Sequence, residues 1–208
     1  MKPTLVLGTH NRKKGTELAA LVAPLGFEVR TLADFPGTPT VDETGRTFAD
    51  NARLKAIGYA QALGQWVLAD DSGLCVDKLG GKPGVDSALY AGTHGDDEAN
   101  NDLLLRELGD APPEQRSAHY VCHVTLADPQ GAIRLEAAEV CRGRIVTSRD
   151  GVGGFGYDPL FEVVEYHRTF GKLDPQTKAC ISHRARALRR ILPELRRLAA
   201  SGDWQPRV

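Results

Sequence analysis

The chain has 208 residues, a formal net charge of −1 at neutral pH and 41% hydrophobic residues. This length is enough for one large domain or for two lobes around one sheet. The balanced charge argues against a nucleic-acid polymer as partner, which usually requires a clear basic excess, and no apolar stretch is long enough to span a bilayer. The four cysteines are far apart in sequence and form no C-x-x-C pair, which argues against a zinc site or a redox pair.

The first third of the chain alternates predicted strands and helices. The apolar run at residues 4–8 is too short for the core of a signal peptide, and its length and composition predict a strand. Scattered thiols without an export signal are typical of the reducing cytoplasm, where we expect this protein. Residues 13–22 predict an amphipathic helix and residues 27–32 a second strand, whereas residues 34–45, rich in Pro, Thr and Gly, predict a loop.

The next predicted helix covers residues 48–63, with Thr47 as its N-cap and Gly64 at its end. Residues 66–69 predict a short buried strand that ends in the polar turn Asp70-Asp71-Ser72-Gly73. A glycine-rich turn at residues 79–84 and a helix over residues 98–108, capped by Asp96 or Asp97, follow.

The pattern changes after Pro112-Pro113. Residues 117–126 and 132–141 are two strand candidates joined by a turn at residues 128–131, which predicts an antiparallel hairpin. A turn at residues 151–157 and a helix over residues 182–200 complete the chain. We therefore predict an α/β chain with a mixed sheet, organised as one domain over residues 1–208 with a change of lobe near residue 112.

The adjacent carboxylates Asp70 and Asp71 are the most informative feature of the sequence. Two like charges this close raise each other's pKa unless a cation lies between them. Hard oxygen ligands at a strand end favour Mg²⁺. A solvated turn is the alternative interpretation, because Asp, Ser and Gly are ordinary turn residues.

A polar, basic segment lies between the first predicted strand and the first helix: Thr9-His10-Asn11-Arg12-Lys13-Lys14. A helix N-terminus offers backbone N–H groups and a partial positive charge, so the segment predicts an anion site for phosphates. The spacing is not that of a Walker A loop. The alternative is a capped helix with a basic, solvated first turn.

Three polar residues follow in the next loop and helix. Asn51 and Lys55 share one face of the helix at positions i and i+4, and we expect both to contact the substrate. Glu43 precedes this helix, and its importance depends on whether its side chain reaches Asp71.

The segment Gly153-Gly154-Phe155-Gly156-Tyr157-Asp158-Pro159 has glycines around an aromatic residue. Glycines allow a backbone to approach a ligand closely, and a ring held there is a platform for a flat base. The alternative is a tight turn whose two aromatic side chains fill the core. Further along, Lys178, Ser182, His183 and Arg184 place donors near a helix start, although a histidine there is often structural.

The motifs Asn11…Lys14, Glu43, Asp70-Asp71-Ser72-Gly73-Leu74, Gly154-Phe155-Gly156-Tyr157-Asp158-Pro159 and Ser182-His183-Arg184 occur in one order over nearly the whole chain. In this combination the chain resembles the inosine/xanthosine triphosphate pyrophosphatases, hydrolases of noncanonical purine nucleotides. The resemblance implies an elongated mixed β-sheet with flanking helices, two lobes around a central cleft, and a homodimer. It also implies Mg²⁺-dependent hydrolysis of ITP, dITP and XTP to the monophosphate and pyrophosphate.

The resemblance also implies a role for each matching residue. Thr9, His10, Asn11, Arg12, Lys13 and Lys14 correspond to the triphosphate loop, with Lys14 expected to stabilise the leaving pyrophosphate. Glu43 and Asp71 correspond to the metal ligands, Asp71 also to the proton acceptor, and Ser72 to a substrate contact. Phe155, Gly156, Tyr157 and Asp158 correspond to the base-binding turn, in which Phe155 stacks on the base. Lys178, His183 and Arg184 correspond to the remaining nucleotide contacts.

The sequence departs from the family pattern at Asp86, Leu89 and Lys172, where an aromatic residue, an arginine and a glutamate are usual. Two alternative functions stay open at this point. One is a Maf-type pyrophosphatase acting on modified or pyrimidine nucleotides, and the other is a non-catalytic nucleotide-binding module.

Overall fold

A computed structural model describes residues 2–201 and 204 of the chain. The strands are β1 Thr4–Leu7, β2 Glu28–Thr31, β3 Val67–Val76, β4 Ser117–Ala127, β5 Ile133–Ile145, β6 Phe161–Val163 and β7 Arg168–Thr169. The α-helices are α1 Arg12–Val22, α2 Phe48–Leu63, α3 Asp97–Leu108, α4 Pro175–Ile181 and α5 His183–Ala200. None of the helices within the described residues is long and apolar enough to cross a membrane.

The strands form one mixed sheet in the order β2-β1-β3-β4-β5-β6-β7. β1 pairs in parallel with β2 and with β3, as expected of strands connected through helices. β6 pairs antiparallel with β5 and with β7. The predicted mixed α/β sheet is therefore confirmed.

The chain divides into two compact units. The first unit comprises the described residues of Met1–Asp71, Cys122–Glu139 and Arg184–Val208, and the second comprises Ser72–Val121 and Val140–His183. The strands β3, β4 and β5 each contribute residues to both units. The lobe change near residue 112 and the cleft between lobes stay predictions.

The core of the first unit packs α1 and α5 against the sheet. Leu18 and Val22 of α1 are fully buried there. Trp204, which follows α5, stacks on Trp66 with ring centroids 4.2 Å apart, and its indole nitrogen donates a hydrogen bond to the Thr4 carbonyl at 2.8 Å. Burial of the aromatic rings and this hydrogen bond anchor Trp204 to β1.

The second unit is built around an aromatic cluster. The Phe161 ring lies 4.8 Å from the Tyr120 ring and 5.3 Å from the Phe170 ring, measured between centroids. All three side chains are buried. Their contacts join β4 to β6 and to the residue after β7.

Helix α2 has the bounds that the sequence predicts. Thr47 and Asp50 form a capping box in which the Thr47 side chain accepts from Asp50 N and the Asp50 side chain accepts from Thr47 N. Gly64 ends the helix in the left-handed conformation with φ of 61°. Local chemistry therefore fixes both ends of α2.

The predicted turn at Asp70-Asp71-Ser72-Gly73 is wrong, because β3 continues through all four residues to Val76. Successive side chains of a strand point to opposite faces, so Asp70 and Asp71 lie on different sides of the sheet. Arg184 pairs with Asp70 and Lys55 pairs with Asp71, and these two cations offset the repulsion between the carboxylates. The sequence analysis also did not predict α4 and the short strands β6 and β7.

Candidate active site

Two carboxylates of the first unit meet at one ammonium group. Lys55 Nζ lies 3.0 Å from Asp71 Oδ1 and donates to Glu43 Oε2 at 2.7 Å. Glu43 and Asp71 are 28 positions apart by their residue numbers and still converge on this cation. Lys14 Nζ approaches the same Asp71 oxygen at 4.0 Å. The two predicted metal ligands thus lie within reach of a single cation.

Helix α2 positions these groups. Asn51 Nδ2 donates to Asp71 Oδ2 at 3.4 Å, while Asn51 Oδ1 accepts from Gly45 N at 2.8 Å. A Cβ atom on Gly45 would lie 2.5 Å from Asn51 Oδ1, so this close approach requires glycine. Through Gly45, Asn51 fixes the loop that carries Glu43, and Lys55 reaches both carboxylates from one turn further along the helix.

Asp71 and Lys55 are charged and buried, whereas Glu43 is exposed. Burial raises the pKa of Asp71 above its ordinary value, against the opposing effect of Lys55 and Lys14. Burial alone would lower the pKa of Lys55, but the carboxylates of Asp71 and Glu43 outweigh it and raise that pKa overall. Lys55 is therefore a stable cation between two carboxylates, and Asp71 is a stronger base than a solvated aspartate.

Asp70 has a different environment on the other face of β3. Its side chain is fully buried, and Arg184 Nε donates to Asp70 Oδ2 at 3.1 Å. Burial would raise the pKa of Asp70, but Arg184 and then Lys14 hold it well below its usual range. The Arg184 guanidinium also donates to Glu17 on α1. Arg184 as a nucleotide contact stays a prediction, whereas these bonds tie α5 and α1 to β3 beneath Asp71.

The segment from Thr9 to Lys14 combines a capped helix with exposed cations. Asn11 Oδ1 accepts from the backbone N–H groups of Lys13 and Lys14 at 3.0 and 3.1 Å, and Thr9 Oγ1 accepts from Asn11 N. Arg12 and Lys13 are exposed. A cavity of about 400 Å³ borders the segment and is lined by Thr9, His10, Asn11 and Arg12 on one side and by Thr31, Leu32 and Ala33 on the other. There is therefore room for a ligand beside the first four residues of the segment.

In the second unit, Asp158 and Lys178 shape the turn around Phe155. Asp158 Oδ2 accepts from Phe155 N at 2.8 Å and from Lys178 Nζ at 2.6 Å. Lys178 Nζ also lies 4.6 Å from the centroid of the Phe155 ring, in cation–π geometry. Gly154 has φ of +76°, and a Cβ there would lie 2.0 Å from Asp158 Oδ2. This turn therefore requires glycine at position 154.

The two aromatic side chains of the turn differ in burial. Tyr157 is buried and donates its hydroxyl to the Ser87 carbonyl at 2.9 Å, so Tyr157 fills the core as the alternative interpretation proposed. Burial also raises the pKa of Tyr157 above its ordinary value. Phe155 is only half-buried. Of the two rings, Phe155 is thus the one whose surface a ligand could contact.

Helix α3 holds the same turn through two side chains that the sequence analysis did not select as site residues. Asp97 Oδ2 accepts from Gly156 N at 2.9 Å, and Asn101 Nδ2 donates to Gly156 O at 2.9 Å. The sequence analysis considered Asp97 only as a possible helix cap. Its i, i+4 spacing from Asn101 was the signal that both side chains share one helix face.

His183 and Ser182 lie at the start of α5 and are buried. The His183 ring stacks on the Tyr120 ring with centroids 4.6 Å apart and an interplanar angle of 7°. Ser72 follows Asp71 in β3 and is half-buried.

Across residues 2–201 and 204, no group of three or more His, Cys, Asp or Glu side chains could hold a metal ion.

Comparisons with known proteins identify the family of this chain. Residues 5–194 match the model of the Ham1 family. The chain is 53% identical to the dITP/XTP pyrophosphatase of Rhodopirellula baltica, with 96% of each chain covered, and 49% identical to that of Desulforamulus reducens, with 93% of this chain and 96% of the relative covered. A solved structure of a HAM1 protein from Coxiella burnetii matches with a TM-score of 0.84 at 37% identity, over 94% of this chain and 98% of the other. The chain belongs to the Ham1 family.

Proposed function

We propose that this protein hydrolyses noncanonical purine nucleoside triphosphates (ITP, dITP and XTP) to the nucleoside monophosphate and pyrophosphate, removing them from the nucleotide pool. The observation that carries the proposal is the convergence of Glu43 and Asp71 on Lys55, with Lys14 beside them. Relatives about half identical over nearly the whole chain carry the name dITP/XTP pyrophosphatase.

The donor set fits Mg²⁺ as the metal. Mg²⁺ is usually bound through one or two carboxylates, with waters and substrate phosphate oxygens completing its ligands. Glu43 and Asp71 are two such carboxylates. We propose these two residues as its ligands. When bound, the ion would supply positive charge to the phosphate oxygens.

The proposed reaction is attack of water on the α-phosphorus. A bond forms from the water oxygen to the α-phosphorus, and the bond to the oxygen that bridges the α- and β-phosphorus breaks. Pyrophosphate leaves with that bonding pair. Asp71 is the proposed acceptor of the water proton. Asn51 orients the Asp71 carboxylate, and Lys14 stabilises the charge that develops on the pyrophosphate.

We propose that the turn from Phe155 to Asp158 binds the purine base, with Phe155 as a stacking platform. Hypoxanthine and xanthine carry a carbonyl at position 6, where adenine carries an amino group. His183 is the proposed donor to this carbonyl. A site built to donate to one group rejects an analogue that lacks the acceptor, because its buried donor is left unsatisfied.

The two alternatives have less support. A Maf-type pyrophosphatase would share the metal chemistry. The turn from Phe155 to Asp158, with its Lys178 contacts, instead favours binding of a purine base. A non-catalytic module would not require two carboxylates paired with a buried lysine. We further propose a homodimer in the cytoplasm without a nucleic-acid polymer as partner, in line with the family resemblance. Sedimentation of the purified protein tests the dimer.

A substrate panel tests the proposal. We expect ITP, dITP and XTP to be hydrolysed with much higher kcat/KM than ATP, with activity lost in EDTA and restored by Mg²⁺. Glu43→Gln is expected to raise the Mg²⁺ concentration needed for half-maximal activity. Preference for a modified pyrimidine nucleotide would favour the Maf-type reading, and nucleotide binding without turnover would favour the module.

A further inference from the structure

Gly156 lies at the centre of the turn that carries Phe155, and helix α3 holds both of its backbone polar groups. Its N–H donates to Asp97 Oδ2 and its carbonyl accepts from Asn101 Nδ2, each at 2.9 Å. Gly156 has φ of +61° and open space where a Cβ would lie, so it has no side chain to restrain it, and the two bonds from α3 hold its N–H and its carbonyl. A glycine in this conformation has more backbone freedom than any other residue.

The two side chains of α3 form a small, ordered arrangement of their own. Asn101 Nδ2 also donates to the Asp97 carbonyl at 2.7 Å, one helical turn away. Asn101 is 1% exposed, and its Oδ1 atom has no hydrogen-bond partner within the described part of the chain. A buried acceptor left unsatisfied lowers stability. The amide is therefore poorly explained by stability alone, and its donation to Gly156 is its specific contribution.

We propose that Asp97 and Asn101 are positioning residues for base selection, which hold the Gly156 peptide groups and so fix the height and tilt of the Phe155 ring. This inference rests on the proposed function, because it takes the turn to be the base site. Neither side chain needs to touch the nucleotide. Both act through the backbone on either side of Gly156, as Asp158 does through Phe155 N.

The inference makes distinct predictions for the two kinds of substitution at position 97. Asp97→Ala removes the acceptor, and we expect kcat/KM for ITP to fall about tenfold, mainly through a higher KM, with a lower ITP-to-ATP ratio. Asp97→Asn keeps an oxygen that can accept from Gly156 N. It should therefore retain most of the wild-type ratio even though the charge is gone.

Asn101→Leu removes the donation to Gly156 at similar volume and also removes the unsatisfied acceptor. We expect a melting temperature close to that of the wild type, together with a higher KM for ITP. Asn100→Leu is the matched control. Asn100 is equally buried on the same helix but accepts from Ala91 N instead, so its substitution should lower the melting temperature and leave the ITP-to-ATP ratio unchanged.

Amide hydrogen exchange of the peptide covering residues 151–160 measures the turn directly. We expect faster exchange in Asp97→Ala and Asn101→Leu than in the wild type or in Asn100→Leu. Unchanged exchange would overturn the inference, as would faster exchange with an unchanged ITP-to-ATP ratio. Phe155→Ala distinguishes a failure of the proposed base site from a failure of this inference. If Phe155→Ala leaves the ITP-to-ATP ratio of kcat/KM unchanged, both are wrong. If Phe155→Ala lowers that ratio and the α3 variants do not, only this inference is wrong.

Discussion

Asp70 and Asp71 are adjacent in sequence, but their pKa values are shifted in opposite directions. On one face of β3, Arg184 holds the pKa of Asp70 below its ordinary range, so this carboxylate is ionised within a buried ion pair at neutral pH. On the other face, burial raises the pKa of Asp71, next to Lys55 and Lys14. The alternation of side chains along a strand thus gives two adjacent carboxylates different environments, one in a buried ion pair and one beside two lysines.

Asp71→Asn removes the proposed proton acceptor with little change in size. We expect kcat to fall by at least about 10²-fold, the low end of what one positioned acid–base group contributes. The free energy of unfolding should hold or rise, because Lys55 keeps Glu43 as its partner. Steady-state kinetics at saturating Mg²⁺ and urea unfolding are the measurements. Near-normal turnover in this variant would remove Asp71 from the chemistry.

Asp70→Asn tests the structural carboxylate. It leaves the buried Arg184 without the Asp70 carboxylate, and removal of one member of a buried pair costs about 3–5 kcal/mol. The pKa of Asp70 lies below its unfolded value of about 3.9, so its stabilisation is complete above that pH and is lost as the pH falls through the folded pKa. Urea unfolding should therefore show a full deficit at pH 7 that narrows below about pH 4. A deficit that widens in acid would contradict this role.

Lys55→Met tests the cation shared by Glu43 and Asp71. Without the ammonium group, two carboxylates face each other, and we expect a lower melting temperature in the absence of divalent metal. Mg²⁺ should raise the melting temperature of this variant more than that of the wild type, because the metal replaces the missing charge. Thermal unfolding with and without Mg²⁺ measures both effects. Equal Mg²⁺ shifts in the two proteins would argue against a metal at these carboxylates.

At the scale of elements, the turn from Gly154 to Asp158 shows how many contacts from outside a turn can hold its backbone conformation. Asp158 accepts from the turn's own backbone, Lys178 neutralises it, and α3 holds the next peptide. Two of the turn's residues, Gly154 and Gly156, have positive φ. The turn is therefore determined by side chains from two other helices as much as by its own sequence.

Gly154→Ala is expected to damage this turn beyond ordinary backbone strain. A left-handed residue with a Cβ costs roughly 1–2 kcal/mol, and at position 154 the added carbon would also meet Asp158 Oδ2 at 2.0 Å. Gly80→Ala is the control, since Gly80 has a similar φ of +63° and open space around it. In unfolding experiments, Gly154→Ala should lose more stability than Gly80→Ala. In ITP kinetics, only Gly154→Ala should show a higher KM. Equal effects of the two substitutions would mean that the turn tolerates a displaced Asp158.

The elements also show what a sequence can and cannot predict. Helix α2 was predicted to the residue because Thr47, Asp50 and Gly64 act within a few positions of its ends. The course of β3 was mispredicted because its partner Arg184 lies 114 positions away from Asp70. The hydrogen bond from Asn101 to Gly156 joins residues 55 positions apart, and no local sequence pattern predicts it.

At the scale of the whole molecule, the separate signals agree. The order of predicted strands and helices indicated a mixed α/β sheet, and the motif order indicated a nucleotide pyrophosphatase. The observed sheet, the Ham1 family match and the names of the relatives agree with these two predictions. The motif residues were chosen by type and spacing. The structure brings Lys14, Glu43, Asn51, Lys55 and Asp71 together through contacts that spacing alone could not establish.

Product analysis of a single turnover of ITP tests the central claim most directly. With enzyme in excess over ITP and Mg²⁺ present, attack at the α-phosphorus predicts that IMP and pyrophosphate appear together in equal amounts at every time point. IDP should not form at any time, and Asp71→Asn should release both products slowly and at the same rate. Primary release of IDP and orthophosphate would contradict the account.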